Sequence, residues 1–353
     1  MLTHANVARY LCERGLLRRA AEAGVLDASG RNRVFVVSLR AGGGFVVKQS
    51  EDRDETLLPR EAGVLRRVVA AEPRLAGRVP TAVSYDGSQH ILVYELLGDS
   101  MDLGAYHARG RFPPLLAREV GRALALLHRL GPATVDGYPV QRDDVLPGIP
   151  RDPPTLDQML RMSDAAVRLL ALLQRATELR ERLAELQASG ETVATVHGDA
   201  RPSNCVAFPP PGTRRRTRVA LVDWELARAG DPHIDLGTVL AEYLHTWLWS
   251  IPVIDGAGLP QAPRYARRPL RAMQPAIGAF WLAYTDTGPP ASLRRAIEFA
   301  AGHLVAVSFE RAQTQPTLDP RAGLALQLSL NLLRRPTEAA AHLFGLDPLA
   351  GAP

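Results

Sequence analysis

Val196-His197-Gly198-Asp199-Ala200-Arg201-Pro202-Ser203-Asn204, followed further on by Leu221-Val222-Asp223-Trp224-Glu225, is the stretch from which the fold is read. The apolar run Thr192 to Val196 ends in a tight loop that sets the Asp199 carboxylate and the Asn204 amide five positions apart. Phosphoryl transfer requires such a pair: the carboxylate orients an acceptor hydroxyl and takes its proton, and the amide oxygen ligates a metal that neutralises phosphate charge. A second short run, Arg218 to Val222, lies beyond the Pro- and Arg-rich turn Pro209 to Thr217 and ends at another carboxylate, Asp223. A hairpin there would carry Asp223 beside Asn204 and complete a hard oxygen-donor site for Mg²⁺.

Upstream, the hydrophobic period changes several times. Val7, Tyr10, Leu11, Leu16 and Leu17 recur at helical spacing, which predicts that residues 1–27 are helical, with a turn at Gly24. Arg33 to Leu39 and Phe45 to Gln49 are β-branched runs joined by Ala41-Gly42-Gly43-Gly44, a hairpin that places Lys48 on a strand. Thr56 to Val69 returns to helical spacing, and Val79 to Tyr94 holds two more strands. Beyond Gly98-Asp99-Ser100-Met101 the chain is mainly helical, through Ala117 to Arg129, Leu156 to Ala188, Asp235 to Trp249 and several segments past residue 270. The expected fold is α+β and bilobal, with a small β-rich N-terminal lobe over 1–97 and a larger helical C-terminal lobe over 98–353.

Composition narrows the function. Of 42 Lys and Arg residues only Lys48 is lysine. A chain that uses arginine for every other cation keeps lysine where a compact ammonium is needed. The formal charge of +5 favours anionic ligands, but the basic residues are scattered without an aromatic-and-basic motif, which argues against nucleic acid. Two cysteines, Cys12 and Cys205, make no disulfide framework, and the N-terminus lacks a secretory pattern; the cytosol is the expected compartment. The apolar stretch Thr238 to Ile254 contains Glu242, His245 and Pro252, so it reads as a buried helix and no membrane span is expected.

The loop His197-Gly198-Asp199 to Asn204 closely resembles that of the aminoglycoside phosphotransferase family, kinase-like enzymes with the pattern H-G-D-x-x-x-x-N. Asp223 falls in the place of the family's metal-binding aspartate, Gly230-Asp231-Pro232-His233-Ile234-Asp235-Leu236 resembles its G-D-P-x-x-D-L segment, and Leu124 to His128 resembles the helix before the loop. The resemblance implies ATP and Mg²⁺ as cofactors, Asp199 as base, Asn204 and Asp223 as metal ligands, Lys48 on the α- and β-phosphates and Glu61 orienting Lys48, with Glu51 and Glu55 as neighbouring candidates. Gly30, Arg31 and Asn32 would occupy the place of the nucleotide-covering loop. Adenine would meet backbone groups near Glu95, Leu96 and Leu97, since a hinge after a buried strand leaves main-chain donors and acceptors for a base edge. The resemblance also implies that Asp235 braces the loop.

Other residues have plainer expected roles: His197 hydrogen-bonding its loop, Asp231 as a turn or cap, Arg214-Arg215-Arg216 as a solvated hairpin tip, Leu169 to Leu186 as an amphipathic helix, and Trp247 and Trp249 as core. For the acceptor, the arginines Arg264, Arg267, Arg268 and Arg271 fit polycationic aminoglycosides poorly. Residues 222–253, with Arg31-Asn32-Arg33, are similar to kinases of class V lanthipeptide and thioamitide pathways, which implies a Ser/Thr acceptor on an acidic-leader precursor peptide and a partner lyase or cyclase. A small-molecule hydroxyl kinase and a non-catalytic nucleotide-binding scaffold are the alternatives.

Overall fold

The computed structural model describes residues 1–29, 32–40, 42–50, 57–135, 154–210, 212–253 and 264–347. Gly30, Arg31, Glu51 and Glu55 lie outside the described residues, as does nearly all of the proline-punctuated stretch after 135.

Helix α1 (Val7–Glu13) precedes a five-stranded antiparallel sheet of β1 (Ala23–Asp27), β2 (Arg33–Leu39), β3 (Gly44–Gln49), β4 (Ala82–Asp86) and β5 (Ile91–Glu95), in the order β1-β2-β3-β5-β4. Helix α2 (Leu57–Ala71) separates β3 from β4. The two-residue period of a strand sorts β3 into two faces. Val47 joins Phe35, Val37, Ile91 and Val93 against α1, whereas Lys48, paired with Leu92, lies on the face that α2 covers. Gly44 opens β3 with φ +144, where an added Cβ would lie 2.0 Å from the Val37 carbonyl oxygen, so the tight entry to the Lys48 strand requires glycine.

The N-terminal expectation is corrected: of residues 1–27 the α-helix covers only Val7–Glu13, residues 23–27 are a strand, and Gly24 is not a turn. It sits inside β1, opposite Ser38, because Ala23 to Asp27 completes the edge of the sheet through backbone pairing that helical side-chain spacing does not report.

In the second lobe, β6 (Met101–Asp102) leads into α3 (Leu103–Ala108) and α4 (Pro114–His128). The predicted single helix from Leu156 to Ala188 is three helices: α5 (Leu156–Leu160), α6 (Asp164–Arg175) and α7 (Thr177–Ala188). Ser163 caps α6 by accepting from the Ala166 amide, and Ala176 leaves helical geometry at ψ 66; local capping interrupts a continuous apolar period. The short strands also pair differently from their order. β7 (Ala194–Val196) pairs with β10 (Arg228–Gly230), whereas β9 (Arg218–Leu221) pairs with β8 (Cys205–Phe208), a strand too brief to register in the periodicity.

Helices α8 (His233–Leu248), α9 (Leu270–Thr287), α10 (Leu293–Ala312), α11 (Pro320–Arg334) and the short α12 (Pro336–Ala339) complete the lobe. Close packing rests on glycine: a Cβ at Gly237 of α8 would meet Phe299 Cβ at 2.6 Å and the Ala300 amide nitrogen at 2.8 Å on α10. The main core runs from α2 and the inner face of the sheet into these helices, so the sheet is anchored to the lobe that bears the Asp199 loop. Among the described residues no helix is long and apolar enough to cross a membrane, and Cys12 and Cys205 are free thiols.

Candidate active site

The loop after β7 is held from below by one buried carboxylate. Asp235, at the start of α8 and fully buried, accepts from the amides of His197 at 2.7 Å and Gly198 at 2.8 Å, and from His128 Nε2 at 3.0 Å. His128 in turn contacts the Tyr284 hydroxyl through Nδ1 at 3.0 Å. Burial would raise the Asp235 carboxyl, but the hydrogen bond and charge of His128, with His197, outweigh it and hold the group below its ordinary value. Gly198 has φ +81, and a Cβ there would lie 2.4 Å from the Leu226 carbonyl oxygen. His197 is buried, accepts the Asp199 amide at Nδ1 (3.3 Å) and donates from Nε2 to the Val222 carbonyl (3.0 Å). The imidazole therefore links the two loops that carry the site.

Of the two roles expected of Asp231, a turn or a cap, it has the turn: Pro232 is the residue that precedes α8. Its carboxylate accepts from His233 N at 3.0 Å and Nδ1 at 2.6 Å and is clasped by Arg295 Nε and Nη2 at 2.9 and 2.7 Å. Burial pushes the group up, but His233 and Arg295 pull it down to about 2, below its ordinary 3.8. A carboxyl lowered on folding stabilises above its unfolded pKa and loses that contribution as pH falls through the folded one. The stability difference between wild type and Asp231→Asn should therefore be full near neutral pH and shrink as pH drops from about 4 toward about 2. Urea unfolding of both proteins across that range checks this; a constant difference would show that the Asp231 contacts do not depend on charge.

Asp199 receives two donors, Arg201 Nε at 2.6 Å on Oδ1 and Asn204 Nδ2 at 2.8 Å on Oδ2. Arg201 also reaches Glu310 of α10 at 3.0 and 3.2 Å. The β8–β9 hairpin then brings the second acid loop alongside: the Val222 amide donates to the Asn204 carbonyl at 2.9 Å, which puts Asp223 next to Asn204. Asp223 has φ 64, a left-handed conformation that Asp tolerates better than most residues.

Across this loop lies Lys48. Its Nζ is 2.6 Å from Asp223 Oδ1, 3.0 Å from Glu61 Oε2 and 3.2 Å from Glu225 Oε2. Burial lowers the ammonium pKa, but Glu61, Asp223 and Glu225 together raise it above its ordinary value, so Lys48 stays charged. Glu61 also accepts the Trp224 amide at 3.1 Å, tying α2 to the Asp223 loop. Asn32 arrives through Glu225, donating to Oε2 at 3.1 Å. At the hinge the amides of Glu95 and Leu96 are engaged by the carbonyls of Thr81 and Gly44, both at 3.0 Å, while the Glu95 side chain is exposed and Leu97 half-buried.

The donor set fits a hard divalent cation. Three carboxylates meet one ammonium, Asp223 is the most open of them with its side chain 40% exposed, and the nearby Asn204 adds an amide. Among the described residues no three His, Cys, Asp or Glu form a self-sufficient cage. Mg²⁺ uses one or two carboxylates and takes its remaining ligands from water and phosphate, so no such cage is required.

Three contributors had no role assigned from sequence. Glu225 and Arg201 stood inside the quoted motifs, two residues after Asp223 and Asp199, and that adjacency was the available signal. Glu310 lies 109 residues from Arg201 and had none. Trp249, expected in the core, is half-buried and lines a cleft of about 480 Å³ beside Arg201, together with His107, Glu242, His245, Arg268 and Glu310. Arg216 is drawn from the hairpin tip to Asp99 at 2.6 Å, while Arg214 and Arg215 are exposed.

A strand lysine and helix glutamate facing an Asp–Asn loop and a second aspartate, across an antiparallel sheet and a helical lobe, define a kinase-like phosphotransferase. The phosphotransferase enzyme family model, APH, matches residues 24–275; the chain belongs to that family and is a phosphotransferase with a hydroxyl acceptor. Among solved structures, Plasmodium vivax ethanolamine kinase is similar at 13% identity and TM-score 0.54, covering 93% of this chain and 87% of its own. A Thermobifida fusca protein described as a fructosamine-3-kinase is similar at 19% identity and TM-score 0.51, covering 93% and 98%. The Brachybacterium faecium macrolide 2'-phosphotransferase apoenzyme follows at 18% identity and TM-score 0.48, covering 92% and 97%. No curated protein matches the sequence.

Proposed function

We propose that this chain moves the γ-phosphate of ATP, with Mg²⁺, to the hydroxyl of a Ser or Thr in a ribosomally made precursor peptide of the lanthipeptide or thioamitide type. The observation that carries the phosphotransfer chemistry is the meeting of Lys48, Glu61 and Asp223 with the Asp199–Asn204 pair. Residues 1–97 would bind the nucleotide, with Lys48 on its phosphates, Asn32 and Arg31 over it and the Glu95–Leu97 segment against adenine. Residues 98–353 would hold the acceptor.

Asp199 takes the hydroxyl proton as the acceptor oxygen bonds to the γ-phosphorus and the bond to the β-phosphate oxygen breaks, releasing ADP. Arg201 and Asn204 fix the carboxylate, so the lone pair facing the acceptor is preset. Asn204 and Asp223 would hold the metal, which supplies neutralisation of phosphate charge when bound. A partner lyase or cyclase in the cytosol would then eliminate phosphate from the modified residue.

Support for a peptide acceptor comes from the cleft itself, which borders Arg201 and carries Arg268 and Arg311 beside Trp249, a poor match to a polycationic antibiotic. The small-molecule alternative draws on the similar structures, named for ethanolamine, fructosamine and macrolide phosphorylation. Intact-mass analysis after incubation with Mg·ATP and, separately, a Ser/Thr-rich peptide or a panel of amino sugars and small alcohols separates these readings. A phosphate gain on the peptide is expected. A gain confined to small alcohols would replace the peptide acceptor, and no transfer despite nucleotide binding would favour a scaffold.

A further inference from the structure

The cleft beside Arg201 does not end at Trp249. A second cavity, of about 580 Å³, shares Ala108, Trp249 and Arg268 with it and continues over Ser250 to Val253, so the two form one trough leading away from Asp199. Charge is graded along it. Its two glutamates lie at the Arg201 end, and each is already engaged: Glu310 by Arg201, and the buried Glu242 by His303 at 3.0 Å. Further along stand Arg109, Arg267 and Arg268, and at the junction beside Trp249 stands Arg311; none of them is in an ion pair among the described residues. Arg268 donates to the Ala108 carbonyl at 2.6 Å, Arg109 donates to the Met101 sulfur at 2.9 Å, and Arg267 is exposed. Arg311 lies 5.2 Å over the Trp249 ring with its buried Nε unpartnered.

Grouping like charges without counter-ions costs stability through mutual repulsion, and other partly buried arginines avoid it: Arg295 pairs with Asp231 and Arg321, at the same trough, with Asp319. We propose that the distal trough binds an acidic Asp/Glu segment of the peptide substrate, with Arg109, Arg267, Arg268 and Arg311 as its counter-charges and Trp249 as its apolar floor, while the hydroxyl residue lies at the Arg201 end. This rests on the peptide-acceptor reading of the same site. A nucleic-acid backbone, uniformly anionic, would set phosphates against Glu242, Glu310 and Asp199; a peptide can carry its acids at one end only.

The test uses the full chain and a labelled peptide with one Ser and a distant Glu run, beside its Glu-to-Gln counterpart, each also made with Ala for Ser. Fluorescence anisotropy with the Ala peptides at about 50 mM salt should show the Glu form binding roughly tenfold tighter than the Gln form, a preference largely lost at about 500 mM. Arg109→Glu/Arg267→Glu, at two exposed positions, should erase the preference while retaining the wild-type melting temperature. Equal binding of the two peptides, preference surviving in the variant, or equal competition by a single-stranded oligonucleotide of matched charge overturns the proposal. Mass analysis of the Ser peptides separates it from the wider reading. Charge-dependent binding without phosphorylation keeps the trough site and removes the peptide as acceptor. Phosphorylation with the same KM for both peptides keeps the acceptor and removes the trough site.

Discussion

Asp199→Asn should lower turnover by about 10²- to 10⁴-fold and leave nucleotide affinity near the wild-type value. The carboxylate has no contact with Lys48, Glu61 or Asp223 in the structure; its side-chain partners are Arg201 and Asn204. An amide of the same shape can still accept from one of these donors, so the loop should keep its course, braced independently by Asp235 through the His197 and Gly198 amides. What the variant lacks is a basic oxygen for the hydroxyl proton. Steady-state kcat with the best acceptor, set beside nucleotide affinity from calorimetry, separates the two effects. Full turnover in the variant would remove Asp199 as the base.

Asp223→Ala should weaken Mg²⁺-dependent nucleotide binding by at least roughly 100-fold, more than the loss of an outer partner of a metal ligand produces. The side chain lies 2.6 Å from Lys48 and beside Asn204, and it is the most exposed of the three acids around the ammonium. Its removal leaves Lys48 with Glu61 and Glu225, so the lysine stays paired and the residual metal-free affinity should survive. Calorimetry with and without chelator measures both. A magnesium-dependent affinity unchanged in the variant would refute the metal role and shift attention to Glu225, which occupies the same side of Lys48.

These two effects differ because the site has two sides that meet only in the folded chain. Arg201 lies between Asp199 and the cleft proposed to hold the acceptor, bonded at once to Asp199 and to Glu310 at the cleft wall. A ligand that drew on Glu310 would thereby alter how firmly the base is held, a coupling between acceptor binding and base geometry that follows from shared hydrogen bonds.

The amino-acid sequence by itself determined the parts whose physics is local. The β-branched run Phe45 to Gln49 after a glycine-rich turn put Lys48 on a strand, the short loop from His197 to Asn204 set an acid and an amide five positions apart, and apolar spacing marked α2, α4 and α8. The lone lysine drew attention to Lys48 for a chemical reason, since a compact ammonium and a planar guanidinium are not interchangeable. Tertiary structure decided the rest. Strand pairing joins backbones whose partners no spacing announces, so β1 at the sheet edge and the β7–β10 pair emerged only on folding. The same holds for charge: Asn32 reaches Glu225 across 193 residues and Lys48 reaches Asp223 across 175. Whether an arginine is neutralised depends on which carboxylates the fold brings within hydrogen-bond distance. The grading of the trough, with its acids engaged at the Arg201 end and Arg109, Arg267 and Arg268 without an ion pair among the described residues beyond it, is therefore a property of packing and not of composition.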